Sequence, residues 1–388
     1  MHYPLASSTW DQNELDAIYS VIKSNHFSMG EKVRLFEEKF ADYFKSKYCV
    51  MVNSGSSANL LMVASLFYRK DGLSLKAGDE IIVPAVSWST TYFPLMQYGL
   101  KLKFVDIDID TLNIDIDALS NAITKETKAI FAVNLLGNPN NFELLQNIAN
   151  KNNLILIEDN CESMGSMFKN KFCGTYGLLG SFSLFFSHHI NTMEGGMILT
   201  DDEELYQILL SLRAHGWTRN LPENNKISNK SNDEFYEAFR FVLPGYNLRP
   251  IEMEGAVGIE QLKKLKSFIK ARRENALTFK DILQKYPFIR IQQENDFSSW
   301  FGFSMIIDES YKLNRNDFIN KFVDNKIHVR PIVSGNFTKN EVIKFFNYSI
   351  HDSLKNSNLL HENGFFIGNH HYNLDNEFQL LEDVLSKC

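Results

Sequence analysis

The chain is poor in cysteine. It has four in 388 residues, at 49, 161, 173 and 388, and no two are spaced as CxxC. Neither a zinc ribbon nor a disulfide framework is expected from such a set, and no metal site. No uninterrupted apolar run approaches the ~18 residues of a membrane helix. The opening MHYPLASSTW has neither the basic stretch nor the apolar stretch of a secretory signal. A cytoplasmic protein in a reducing compartment is therefore expected, with no membrane partner. Blocks of lysine and arginine are missing too, and the net charge is −7. Nucleic acid is not an expected partner, although a local basic pocket for a diphosphate remains compatible with that balance. Internal repeats and low-complexity tracts are absent.

What the chain has is length and apolar content. At 388 residues it exceeds the ~250–300 at which a single core stops growing. Two domains are expected, residues 1–250 as the larger and 251–388 as the smaller. Hydrophobic residues make up 44% and charged residues 22%, a globular balance, and 31 phenylalanines point to an interior filled with aromatics. Asp11 and Glu14 are spaced as a capping box before Leu15, Ile18 and Ile22, and Leu35–Phe44 predicts a second helix. Short apolar runs follow at Tyr48–Val52, Ile81–Val83, Leu102–Val105, Ala129–Val133, Leu154–Ile157, Ser181–Phe186 and Met197–Leu199. Alternating with helical stretches, they predict an α/β domain with a mostly parallel central sheet flanked by helices. Asn220–Asp233 reads as a surface loop and Glu252–Lys270 as a linking helix. The remainder, with a strand at Phe301–Ile307, reads as a smaller α+β unit.

Several places on this frame carry chemistry. Asn53-Ser54-Gly55-Ser56-Ser57-Ala58-Asn59 follows a strand and opens an apolar helix, so backbone N–H groups and hydroxyls meet at a helix N-terminus that favours an anion. The same residues also suit an ordinary strand-to-helix turn. Asp159 ends a strand, where ligands of open α/β sheets bind, and a carboxylate there can keep a pyridinium nitrogen protonated. It equally suits a helix cap. Trp88, in VPAVSWSTT, offers its face to a planar ring or fills the rim of a core. His188 and His189 are adjacent in SFSLFFSHHINTMEGGMILT. On a strand only one of them would face a given site, and two imidazoles without a third ligand make a poor metal site.

In order along the chain, SGSSAN, VPAVSW, VNLLGNP, EDNCESMG, GSFSLFFSHHINTMEGG and PGYNLRPIEMEGAVGIEQL resemble the PLP-dependent nucleotide-sugar aminotransferase family. The fold of that family is the aspartate-aminotransferase fold, type I, and the resemblance runs from the first helix into the C-terminal domain. It implies pyridoxal 5′-phosphate (PLP) or pyridoxamine 5′-phosphate (PMP) as cofactor. Ser56 and Ser57 would lie at the cofactor phosphate, Trp88 on the ring, Asp159 at the ring nitrogen and Glu162 near the ring hydroxyl. Ser183 would be a further phosphate contact. Asn247, in PGYNLRP, would reach the phosphate of a neighbouring subunit, which implies a homodimer. His215, Arg219 and Arg249 are available to substrate or phosphate, or to surface salt bridges.

Cys161, Glu162 and Met193 are small departures from the family pattern, and one further departure decides the function. The family has its cofactor-binding lysine five residues after the serine and six before Glu-Gly-Gly; here Ser183 and Glu194 both count to His188. No lysine occurs between Lys171 and Lys226. Imidazole moves protons but makes no covalent link to the cofactor, which is then expected to be held non-covalently. PLASSTWD, SHHI, LRAHGWTRNLP and WFGF are similar to the dehydratase branch of the family. That similarity implies removal of the C3 hydroxyl of GDP-4-keto-6-deoxymannose with His188 as base and L-glutamate as amino donor, in colitose synthesis for O-antigen lipopolysaccharide. A nucleotide-sugar 4-aminotransferase and a non-catalytic sugar-nucleotide binder are the rival readings. An iron–sulfur dehydratase is disfavoured by the scattered cysteines.

Overall fold

Alternation along the short apolar runs builds the central layer. The computed structural model describes residues 2–387. Its strands are β1 (Tyr48–Val52), β2 (Glu80–Pro84), β3 (Lys101–Val105), β4 (Thr127–Val133), β5 (Ile155–Asp159), β6 (Met167–Phe168), β7 (Lys171–Phe172), β8 (Leu179–Ser183) and β9 (Gly196–Thr200). In the C-terminal half they are β10 (Ile289–Arg290), β11 (Gly302–Ile307), β12 (Val329–Arg330), β13 (Tyr348–Ile350) and β14 (Gly364–Gly368). The large sheet has eight strands in the order β1-β9-β8-β5-β4-β2-β3-β13. All run parallel except β9, which is antiparallel to both β1 and β8.

Successive residues of one strand serve opposite cores. Ile81, Val83, Phe131 and Ile157 pack on the side of helices Gly55–Tyr68, Ser89–Gln97 and Glu203–Arg213. Ile82, Ile130, Ala132 and Leu156 pack on the side of Ile116–Ala122 and Phe142–Lys151. Both faces are thus covered, and β2, β5, β8 and β9 are buried at every residue. The mostly parallel, helix-flanked sheet expected from the sequence is observed.

The linking helix is longer than its first periodic stretch, running Glu252–Leu283 over 32 residues. Its first residue caps another helix: Glu252 accepts from the N–H groups of Gly30 at 2.7 Å, Lys32 at 2.5 Å and Val33 at 3.3 Å, at the start of Glu31–Phe44. Gly30 has no side chain for that task. The capping box at Asp11 and Glu14 is present, and Glu14 is buried against Lys264 of the long helix at 2.6 Å.

Beyond the long helix lies a second, antiparallel sheet of order β10-β11-β14-β12. Its core gathers Phe279, Phe303, Phe322 and Phe378, with Tyr3 from the start of the chain. One excursion leaves this half: β13 pairs in parallel with β3, and Phe337, Phe346 and Leu354 pack into the large sheet's core. We propose the division at 250/251 as the boundary between the bulk of two domains, crossed by this excursion and by Tyr3. No helix among the described residues is long and apolar enough to cross a membrane.

Candidate active site

The carboxyl ends of neighbouring parallel strands face a cavity of about 730 Å³. At the end of β1 the chain turns into helix Gly55–Tyr68. Ser54 caps it by accepting from the N–H of Ser57 at 3.1 Å, and the first turn carries N–H groups with no partner inside the helix. Ser56 lines the cavity, with its hydroxyl on Thr90 Oγ1 at 3.0 Å. Ser57 does not line it; its hydroxyl turns back to donate to Asn53 Oδ1 at 2.6 Å. Ser183, at the end of β8, closes the same corner.

Asp159 ends β5 and is buried, with one edge on the cavity. Its Oδ2 accepts from Asn59 Nδ2 at 2.8 Å and Thr91 Oγ1 at 2.7 Å, and its Oδ1 from the N–H of Cys161 at 3.1 Å. Those donors are themselves held: Ser181 Oγ donates to Asn59 Oδ1 at 2.6 Å, and Ser87 pairs with Thr91 at 2.7 Å. The carboxylate is fixed in orientation by these donors and, among the described residues, is in no salt bridge. Glu162 stands next along the wall and accepts from the Leu136 N–H at 3.0 Å. Burial, reinforced by the Asp159 charge and opposed by that N–H, pushes its carboxyl up to about 7. Trp88 borders the opening and is 58% exposed, a free aromatic face.

His188 completes the wall. The sheet ends at Ser183, so the histidines sit on a turn rather than on a strand. The turn is closed by the His188 N–H on Phe185 O at 2.9 Å and the Thr192 N–H on Leu184 O at 3.0 Å. His188 enters the cavity, and its Nδ1 is buried with no partner. His189 points away, fully buried, with Nε2 3.2 Å from Ser299 O. Burial first and the Arg272 charge second pull the His188 imidazole down to about 4, so the ring is neutral near pH 7. No cluster of side chains suited to a metal ion is found among the described residues.

The opposite wall was not foreseen from the sequence. Leu5, Phe301, Arg330, Val333 and Phe366 bring the start of the chain and the small sheet onto the cavity, and among the described residues Arg330 is the only lysine or arginine in its lining. Asn247, His215, Arg219 and Arg249 do not line it. They form a separate group: Arg249 donates to Asn247 Oδ1 at 2.9 Å, its Nη2 lies 3.4 Å from His215 Nε2, and Arg219 lies 4.8 Å from the Trp217 ring. Among the described residues neither arginine is in a salt bridge, so that alternative for these cations does not hold within one chain.

With this geometry in place, comparison with known proteins is decisive on family. The profile of the DegT/DnrJ/EryC1/StrS aminotransferase family matches residues 8–379. The chain belongs to that family. Within the DegT/DnrJ/EryC1/StrS proteins it is similar to GDP-4-keto-6-deoxy-D-mannose 3-dehydratase of Yersinia pseudotuberculosis, at 58% identity over 100% of this chain and 99% of that one. The crystal structure of the H188N mutant of GDP-4-keto-6-deoxymannose-3-dehydratase with bound GDP-perosamine aligns with TM-score 0.97 and 58% identity, over 99% of this chain and 100% of that one. The Escherichia coli GDP-4-keto-6-deoxy-D-mannose-3-dehydratase with bound hydrated PLP gives the same TM-score of 0.97 and 58% identity over 99% of each chain. The PLP-type fold expected from the sequence is the fold of the family.

Proposed function

We propose that this protein is a PLP/PMP-dependent nucleotide-sugar 3-dehydratase. It removes the C3 hydroxyl of GDP-4-keto-6-deoxymannose, with L-glutamate as amino donor, and yields GDP-4-keto-3,6-dideoxymannose and ammonia. The observation that carries the reading is His188. An imidazole stands in the cavity where the family pattern counts its lysine, no lysine among the described residues lines that cavity, and the chain is 58% identical to a 3-dehydratase over its full length.

The residues present fit a pyridoxal-type group. A phosphate suits the helix N-terminus at Gly55 with the hydroxyls of Ser56 and Ser183; Ser57 serves from behind, by fixing the turn through Asn53. Asp159 suits a ring nitrogen, Glu162 a ring hydroxyl and Trp88 a ring face. When bound, the cofactor supplies an electron-withdrawing ring and an amino group. His188 supplies proton transfer. Its neutral ring would serve as the base for a proton on the bound cofactor and as the acid for the departing hydroxyl. Asp159 is oriented by three protein donors before anything enters the cavity, a preorganised charge for the ring.

Asn247, His215, Arg219 and Arg249 are assigned to the site of a partner subunit in a homodimer, Asn247 at the phosphate and the basic residues at the diphosphate. Their support is that they do not line the cavity described above and that, among the described residues, neither arginine has a carboxylate partner. A cytoplasmic setting, in the supply of colitose to O-antigen lipopolysaccharide, belongs to the same proposal. The test is product analysis with glutamate and the GDP-4-ketosugar: one dehydrated sugar and one ammonia are expected per 2-oxoglutarate. A 4-aminosugar that retains its C3 hydroxyl would refute the reading.

A further inference from the structure

Arg272 is a buried charge that the mechanism above leaves unused. It lies on the long helix, 4% exposed, and its Nη1 donates to Phe301 O at 3.0 Å and Asn369 O at 2.7 Å. Among the described residues it forms no salt bridge with a carboxylate, and its Nε has no partner; burial alone pulls its pKa down to about 10. A guanidinium taken out of water with only carbonyl dipoles around it is costly. The place it occupies supplies a reason. Asn369 Nδ2 donates both to Arg272 O at 3.0 Å and to Trp300 O at 2.9 Å, so Arg272 and Asn369 together hold the carbonyls of Trp300 and Phe301.

That turn needs holding. Trp300 has φ 47°, a left-handed backbone that a bulky residue keeps only under constraint. The Phe301 N–H donates to Leu136 O at 3.0 Å, and the Leu136 N–H is the donor to Glu162. The outcome is a phenyl ring on the cavity wall, with its centroid 5.2 Å from that of His188 and 5.7 Å from that of His189. The WFGF motif, carried until now only by resemblance, thereby gains a physical role.

We propose that Arg272 is a positioning residue of the dehydration step, acting on His188 through the Phe301 ring and through its own unpaired charge. The inference rests on the reading of His188 as the base. The Arg272 charge disfavours a proton on His188, and it presses in the same direction on His189, His370 and His371. Asp159, Cys161, Glu162, Glu194 and Arg330 are the other charged or titratable side chains that line the cavity with His188 among the described residues. Glu162 keeps its proton to about pH 7 and adds no charge where His188 titrates, so without Arg272 burial alone would oppose the proton, and the imidazole would hold it to higher pH while staying neutral near pH 7.

Two substitutions separate charge from shape. Arg272→Gln removes the charge and keeps a donor for the carbonyls; Arg272→Lys keeps the charge. The ring of His188 is followed by NMR in cofactor-free protein with labelled histidine, its signal identified by loss in His188→Asn. Arg272→Gln is expected to raise the His188 pKa by about one unit or more, and Arg272→Lys to leave it near the wild-type value. In single-turnover dehydration by PMP-loaded protein, the acid limb of the rate profile should move up by the same amount in Arg272→Gln alone. A His188 titration and acid limb that stay at wild-type values in folded Arg272→Gln overturn the proposal. If that variant does not fold, Phe301→Leu decides: kcat should fall about tenfold or more with KM values for glutamate and sugar unchanged, and an unchanged kcat overturns the proposal. The titration needs no substrate, so an error in the sugar assignment leaves its outcome intact.

Discussion

Gly55 and Ser183 approach so closely that a Cβ on the glycine would lie 2.6 Å from the Cβ of the serine. One residue opens the helix after β1 and the other ends β8, and their contact brings the helix N-terminus and the Ser183 hydroxyl to one corner of the cavity. Nothing larger than hydrogen fits between them.

Gly55→Ala should therefore separate the helix start from β8. Overpacking a buried contact of this kind costs about 1–3 kcal/mol, and the displaced atoms are the proposed phosphate donors. The expected outcome is a lower Tm and at least about tenfold weaker PLP binding, read by absorbance titration of cofactor-free protein. Unchanged PLP affinity would remove the phosphate role from this corner.

Glu162 makes stability depend on pH in a direction opposite to that of most carboxylates. It keeps its proton to about pH 7 in the folded chain, whereas an unfolded glutamate loses it near ~4.3. Between those values the folded chain holds the extra proton, so this contribution is present below the lower value and is lost as pH rises through the upper one. Glu162→Gln should accordingly stabilise the cofactor-free protein at pH 8 by about 1–3 kcal/mol relative to wild type, with the gain vanishing near pH 5. Denaturant melts at the two pH values read this directly. An equal difference at both would show that the carboxyl does not titrate in that window.

How far the sequence reached follows from the range of each signal. The Asp11–Glu14 box and the alternating strands are local patterns, and they are seen where expected. Position 188 is located by counting from Ser183 and from Glu194 along the pattern of the family that the sequence resembles. The run Ser181–Phe186 was read as one strand, yet β8 stops at Ser183. Phe185 and Phe186 are 43% and 45% exposed, and Phe185 lines the cavity, so apolarity there does not mark a sheet residue. Ser57 was placed with Ser56, but one step along a helix rotates a side chain by about 100°, enough to turn its hydroxyl back to Asn53. Leu5 and Phe301 lie in PLASSTWD and WFGF, which the resemblance picks out without a role, and Arg330 has no local signal. They reach the cavity only because the small sheet and the first residues fold over it.

Substitution at 188 tests the chemistry itself. His188→Asn leaves Asp159, Ser56 and Ser183 untouched and should bind PLP within about threefold of wild type. Dehydration should fall by about 10²–10⁴-fold, the usual contribution of a general base. His188→Lys restores a primary amine in the cavity, so borohydride should fix PLP to that variant and not to wild type. Mass analysis of the reduced chains checks this. PLP fixed to any lysine of the wild-type protein would overturn the non-covalent assignment.

Sharing of the site between subunits has a test that neither variant gives alone. If Asn247 completes the neighbour's phosphate site, Asn247→Ala homodimers lack it at both sites, and His188→Asn homodimers lack the base at both. Mixing the two and allowing subunits to exchange forms hybrids. In a hybrid, one site has both defects, whereas the other joins an intact His188 from one chain to an intact Asn247 from its partner. A symmetric dimer with random exchange would place roughly a quarter of all sites in that repaired form. Dehydration should rise to roughly a quarter of the wild-type rate per site after exchange, with no rise when either variant is incubated alone. Were Asn247 to act within its own chain, every hybrid would carry one defect at each site, and mixing would restore nothing. Light scattering on the same samples reports the assembly, and a fully active monomer would exclude the shared site.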